Sequence, residues 1–323
     1  RRIADFVRNI RSTHTRIIDT SLGRETYEGI IPAKRNIADF VSIMRGCDNY
    51  CSYCIVPFVR GRIRSRPVDD ILNEVRSMVH DGTKDITLLG QNVNEYAYGI
   101  HTFSDALYRI SWIPGLARLR FLTSHPKDLD DDTIKVVAQE PVICEWFHLP
   151  LQAGNDRILS LMNRQYTQNQ YLALAAKIRD AIPSATITTD VIAGFPTETE
   201  QEFQETLEIM ARIEFDDAYL YRYSPREGTK AYEYPCLPEQ VIMDRLRRLI
   251  SLQSQVNLKK TQAMVNGTYE VLCEGPAKSG GTRGKTRGNK DVVIEERIDP
   301  GELVQVYITG IQGRTPVGKI VDT

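Results

Sequence analysis

From residue 38 to about residue 224, short runs of β-branched and aromatic residues alternate with stretches whose apolar side chains recur at helical spacing. No other feature limits the fold as much, because such alternation builds βα units around a parallel sheet. The strand candidates are Phe40–Met44, Asp85–Leu89, Arg118–Thr123, Ile143–Leu149, Thr186–Ala193 and Ala218–Tyr223. Between them, Val68, Ile71, Leu72, Val75, Met78 and Val79 follow helical spacing after Pro67, a residue suited to a helix start. Phe203, Leu207 and Met210 do the same within Glu198–Ile213. Six strands predict an α/β fold, a partial (β/α)6 barrel over residues 38–265, with a helix from Pro238 to about Val265 packed outside. From Gly267 the pattern changes to short strands between Gly-rich turns: Thr268–Cys273, Asp291–Ile294, Leu303–Thr309 and Pro316–Val321. These predict a small all-β barrel over 266–323, of the kind that binds oligonucleotides. Residues 1–37 fit neither unit and read as a linker or remnant, with a helix-like piece at Arg1–Ile10.

Directly after the first strand candidate, Cys47, Cys51 and Cys54 form a C-x3-C-x2-C loop. Iron–sulfur clusters are normally held by four cysteines, so a compact triplet without a fourth implies a cubane with one iron left open. A structural zinc site usually closes with four ligands, and the nearest downstream histidine, His80, lies on a predicted helix. Disulfides fit poorly. The chain has six cysteines in 323 residues and neither a signal-like start nor a long apolar segment, which reads as a cytoplasmic protein with no membrane partner. Cys144, Cys236 and Cys273 are widely separated and read as isolated thiols.

The net charge of −1 gives no general attraction to nucleic acid, so any such contact must be local. Two segments supply local charge. Arg60, Arg62, Arg64 and Arg66 alternate, and an extended backbone would project all of them on one side. Gly275–Lys290 carries Lys278, Arg283, Lys285, Arg287 and Lys290 with no acid, and reads as a basic loop.

Ligands of parallel α/β barrels bind at the carboxyl ends of the strands. Those ends carry Gly90-Gln91-Asn92, Ser124-His125-Pro126-Lys127, His148-Leu149-Pro150-Leu151-Gln152 and Asp190-Val191-Ile192-Ala193-Gly194-Phe195-Pro196. Together they describe a polar, glycine-bearing rim for a zwitterionic nucleoside. Alone, His125 and His148 read as structural histidines, since neither has a carboxylate or second histidine at ligand spacing in the sequence.

The stretch from Ser42-Ile43-Met44-Arg45-Gly46-Cys47 through Arg60-Gly61-Arg62, the turn Leu88–Asn94, Thr123–Lys127 and His148–Gln152 resemble the radical S-adenosylmethionine (SAM) methylthiotransferases. The resemblance is strongest to the branch acting on prenylated adenosine beside the tRNA anticodon. Branches acting on threonylcarbamoyl-adenosine or a ribosomal protein share the cysteine loop but differ more at Gly90–Asn94 and His125. The last segment is similar to a TRAM domain.

The resemblance implies that Cys47, Cys51 and Cys54 ligate a [4Fe–4S] cluster whose open iron takes SAM, with Tyr53 near the adenine. Gly90, Gln91 and Asn92 would hold the methionine end, and Gly194 and Pro196 would lie beside the adenosine. Gln152 and Asp190 join them by strand-end position alone, and no residue is assigned as catalytic. Arg60, Arg62, Arg64, Arg66, Lys278, Arg283, Lys285 and Arg287 become expected RNA contacts, with Tyr221, Arg222 and Tyr223 at the entrance. The implied partners are the tRNA anticodon stem-loop and an electron donor such as flavodoxin or ferredoxin. In the family an N-terminal domain holds an auxiliary [4Fe–4S] cluster through three cysteines. Arg1–Asn36 contains none, so that second cluster is expected only with a domain absent from this chain. An RNA-binding protein with a purely structural cluster is the alternative of a different class.

Overall fold

In the computed structural model, residues 3–13 and 36–321 are described. Helix α1 (Ile3–Thr13) corresponds to the helix-like N-terminal piece; most of the predicted 1–37 linker lies outside the described residues. Six parallel strands follow: β1 (Ala38–Ser42), β2 (Asp85–Leu89), β3 (Arg118–Phe121), β4 (Trp146–His148), β5 (Thr186–Ala193) and β6 (Asp217–Arg222). β1, β2 and β3 pair in sequence order, as do β4, β5 and β6. A parallel bridge from Leu119 to Ile143 joins the two halves. β1 and β6 remain unpaired with each other, so the barrel is open, as six βα units predict.

The helices are α2 (Val56–Arg60), α3 (Val68–His80), α4 (Phe103–Ser111), α5 (Asp131–Gln139), α6 (Asp156–Leu161), α7 (Gln168–Ala181), α8 (Glu200–Ile213) and α9 (Glu239–Ala263). Capping boxes set three of their starts: Thr102 with Asp105, Thr167 with Gln170, and Thr199 with Glu202. Alternation along the strands sorts the side chains. On β3, Leu119 and Phe121 are fully buried in the apolar core, and the Phe121 ring lies 5.3 Å from Phe103 of α4. Arg118 and Arg120, on the opposite face, point toward the second domain.

That domain is a closed barrel of β7 (Thr268–Pro276), β8 (Thr282–Thr286), β9 (Asp291–Ile294), β10 (Leu303–Gln312) and β11 (Thr315–Ile320), around Val271, Cys273, Val292, Ile294, Val306 and Ile308. The segment read as a basic loop is in fact built around a strand. β8 fills the gap between β7 and β9, and its glycine permits close approach: a Cβ on Gly284 would meet the Leu272 carbonyl at 2.5 Å.

The two domains meet through buried arginines. Arg118 donates to Lys285 O (2.6 Å) and pairs with Glu270 (2.9 Å). Arg120 donates to Arg287 O (2.6 Å) and Thr286 O (3.0 Å) while pairing with Asp85 (2.9 Å). Arg287 reaches back to Glu145 (2.9 Å) and Ile143 O (2.7 Å). No helix of the described residues is long and apolar enough to cross a membrane.

Candidate functional site

The cysteine loop is closed at its base and clamped along its length. Met44–Arg45 pairs with Arg64–Ser65, Cys47 N donates to Gly61 O (3.2 Å), and Gly46 N donates to the Gln91 side chain (2.6 Å). Gly46 sits at φ +85°, and a Cβ there would meet Arg62 O at 2.1 Å, so the turn requires glycine. Farther along, Ser52 N donates to Met162 O, Ala231 N donates to Ser52 O, and Asn163 donates to Asn49 O and Tyr50 O. Loops from three parts of the barrel thus hold the triplet at the strand ends.

Cys47, Cys51 and Cys54 are half-buried and unoxidised. Burial pushes the Cys47 and Cys54 thiols up and the neighbouring Cys51 adds to it, while backbone N–H groups of Asn49 and Val56 and, for Cys54, the Arg164 charge act the other way. Among the described residues no three His, Cys, Asp or Glu side chains close around a single-ion position. Three half-buried thiols gathered on one loop are a donor set that suits a cubane, in which each thiolate takes a different iron.

Three buried residues around the loop carry no obvious sequence signal. Asn49 reaches toward Cys47 Sγ (3.6 Å) and donates to Glu95 (3.2 Å). Arg164 approaches Cys51 Sγ (3.5 Å), and Tyr166 bonds both Arg164 and Leu151 O. Asn49 lies within the cysteine loop itself, and only the polar cluster Asn163-Arg164-Gln165-Tyr166, following a helix, marks the other two in the sequence.

The expected SAM-binding residues divide. Gln91 stays beside the cysteine loop, and Tyr53 packs partly on the barrel core, burial holding its hydroxyl protonated. Asn92 requires correction: it is 1% exposed, its amide donates to Glu95 and Asp128 (both 2.7 Å), and its carbonyl accepts from His125 N. It fastens the rim together and is not free to grip methionine. Gly90 likewise faces protein, since a Cβ there would meet Met44 Cγ at 2.5 Å. Gly194 and Pro196 are buried, with Gly194 turned against Ile242 of α9. Gln152 and Asp190 are brought together, Gln152 N donating to Asp190 O (2.8 Å).

His148 also differs from its sequence reading. A carboxylate does approach it, from the neighbouring strand: Nε2 lies 3.5 Å from Asp190, while Nδ1 is 3.0 Å from Thr188 Oγ1. His125 is buried, and burial followed by Arg164 holds its pKa down to about 2, so the ring is neutral; its Nε2 has no protein partner.

Neither basic segment presents a row of free cations. Arg66 is 2% exposed and bound to Asp70, Glu74 and Ser42 O, so it is structural and is withdrawn as an RNA contact. The end of α2 and the Gly61 turn break the extended geometry that alternation assumed. Arg60 and Arg62 are exposed, while Arg64 is half-buried and donates to Arg60 O. In the second segment Arg287 is withdrawn too, being held in the domain junction. Arg283 is exposed but pairs with Glu274 (3.1 Å), Lys285 pairs with Asp291 (3.2 Å), and Lys278 is exposed. At the proposed entrance Tyr223 is buried against Phe195 and bonded to Ala231 O; Tyr219 instead joins Tyr221 as an exposed ring.

The sequence matches the Radical SAM superfamily over residues 41–210. It is 42% identical to a tRNA-2-methylthio-N(6)-dimethylallyladenosine synthase of Desulforamulus reducens over 98% of this chain and 71% of that protein. The namesake enzyme of Acetivibrio thermocellus is 45% identical over 90% and 62%, and that of Clostridium novyi 41% over 99% and 73%. The chain thus spans between 62% and 73% of these relatives' lengths. Among solved structures, coproporphyrinogen III oxidase from Escherichia coli aligns with a TM-score of 0.52 at 13% identity, covering 80% of this chain and 67% of that one. The methyltransferase TsrM from Kitasatospora setae aligns at 0.51 and 16%, covering 60% and 38%. These two speak for the fold, whereas the closer relatives resolve the branch: the chain belongs to the radical SAM methylthiotransferases, enzymes that use a [4Fe–4S] cluster and SAM.

Proposed function

We propose that this chain is the SAM-cleaving and RNA-docking part of an enzyme that adds a methylthio group to C2 of a prenylated adenosine in a tRNA anticodon loop. The observation that carries the proposal is the clamped triplet Cys47, Cys51 and Cys54 at the strand ends, in a chain of this family. When bound, the cluster and SAM supply a 5′-deoxyadenosyl radical able to take hydrogen from an unactivated carbon. The chain's own residues position and enclose. The three cysteines hold three irons, Gln91 fixes the loop through Gly46, and Tyr53 gives an apolar wall. His148 and Asp190 form a polar pair across neighbouring strands, beside Tyr219, whose ring lies 5.7 Å from His148.

A target base must leave its stack to reach such a depth. The exposed rings of Tyr219 and Tyr221 offer stacking surfaces on the way in. Arg60 and Lys278 are exposed cations that can meet phosphate, while Arg62, Arg283 and Lys285 would do so by exchanging their ion pairs with Asp48, Glu274 and Asp291. The C-terminal barrel acts as a TRAM-type RNA domain, an external flavodoxin- or ferredoxin-type protein supplies electrons in the cytoplasm, and sulfur comes from an auxiliary cluster carried elsewhere.

Anaerobic reconstitution, followed by SAM and dithionite, tests the reading. The expected product is 5′-deoxyadenosine, lost on replacing any of the three cysteines; a loaded cluster that leaves SAM intact would make it structural and end the proposal.

A further inference from the structure

Arg164 is 4% exposed, yet among the described residues no carboxylate pairs with it; its hydrogen-bond partners are Pro150 O, the Tyr166 hydroxyl and Cys51 Sγ. Its Nη2 donates to Pro150 O (2.9 Å), Nε donates to the Tyr166 hydroxyl (3.1 Å), and the guanidinium lies 5.2 Å from the Tyr166 ring centre. Its remaining arm, Nη1, approaches Cys51 Sγ at 3.5 Å, and its electrostatic neighbours are Tyr166, Tyr53 and Cys51. An arginine cannot shed its proton in a protein, and a buried charge without a counter-ion is costly. Among the described residues the other buried arginines obey that rule: Arg66, Arg118, Arg120 and Arg245 each pair with a carboxylate. Arg164 departs from it: among the described residues the potential anion it contacts is Cys51 Sγ, with whatever that sulfur ligates.

We propose that Arg164 is a positioning residue that serves as the fixed counter-charge of the cluster, orienting Cys51 and making the cluster easier to reduce. This rests on the cluster reading above. Reduction adds one electron from the external donor to an already anionic group and changes no covalent bond. A cation held in a low-dielectric wall favours the more negative state. Hydrogen bonds to cluster sulfurs and local charge are among the factors that set such potentials. The backbone and hydroxyl anchors fix the guanidinium, so it offers its charge without reorganising.

The test is a redox titration of the reconstituted full chain followed by electron paramagnetic resonance, comparing wild type, Arg164→Gln and Arg164→Lys at matched iron and sulfide content. Arg164→Gln is expected to be at least tenfold harder to reduce, about 59 mV for one electron. Arg164→Lys, which keeps the charge, should lie nearer wild type. A fully loaded Arg164→Gln with the wild-type potential overturns the proposal. If that variant fails to load, melting of the metal-free proteins decides. A metal-free variant that melts like wild type supports a role toward the cluster, whereas one that melts far lower makes Arg164 a structural strut. Zinc in place of iron in the wild type would instead refute the cluster reading itself.

Discussion

The cysteine loop and the basic strand β8 are both short, chemically loud segments, yet they differ in what folding does with their side chains. In the loop, backbone hydrogen bonds carry the structural load: Gly46, Cys47, Ser52 and Cys54 all donate through main-chain N–H groups. The thiols are thereby left half-exposed and available. In β8 and the turn after it, the backbone pairs with both neighbouring strands and the side chains are engaged as well, Lys285 and Arg283 by acids of those strands and Arg287 in the domain junction. The exposure of the thiols therefore follows from local backbone. Availability of charge does not, because it depends on which acids other strands bring near.

Breaking the loop should have the largest effect. Cys51→Ala is expected to abolish 5′-deoxyadenosine formation and to lower bound iron, measured by product chromatography and metal analysis. Breaking the junction comes next. Arg120→Leu leaves Asp85 buried without its partner and removes bonds to Thr286 O and Arg287 O; it should cost about 3–5 kcal/mol in chemical denaturation, as for other broken buried pairs.

The third experiment sharpens the comparison within the basic segment itself. Arg287→Ala should destabilise the chain but leave the salt dependence of RNA binding unchanged, since this side chain faces Glu145. Lys278→Ala with Arg283→Ala should flatten the log–log slope by about 0.7 per lost phosphate contact on a single-stranded loop. A slope that flattens in Arg287→Ala as well would return Arg287 to the RNA surface.

The smallest effect concerns pH. Burial raises the Cys47 and Cys54 thiols, and cluster ligands must be deprotonated, so reconstitution yield should rise from pH 6.5 to 8.5. The metal-free chain should show the opposite trend. A raised thiol pKa contributes stability below the thiol's ordinary range and loses it as pH climbs through the folded value, so metal-free melting should fall at alkaline pH.

Much of the fold was legible because periodicity reports burial. Asp85–Leu89, Thr186–Ala193 and Asp291–Ile294 match the predicted strands, and α3 begins after Pro67 as expected. Strand β8 was hidden because Gly284 and alternating Arg and Lys resemble a solvated loop, while its Thr282 and Thr286 point inward. Of the site, the cysteine triplet was the part that spacing singled out. Asn92 was misread because an amide after a strand looks the same whether it meets a ligand or, as here, Glu95 and Asp128. Arg164 lies 113 residues from Cys51, and the His148–Asp190 contact crosses strands, so neither leaves a local pattern.

The central claim is a cubane bound by three thiolates with one iron open to SAM. Electron paramagnetic resonance of the reduced, reconstituted chain, recorded before and after adding SAM, addresses it most directly. A changed spectrum with close to four irons per chain is the predicted result, and an unchanged spectrum from a fully loaded sample would contradict it.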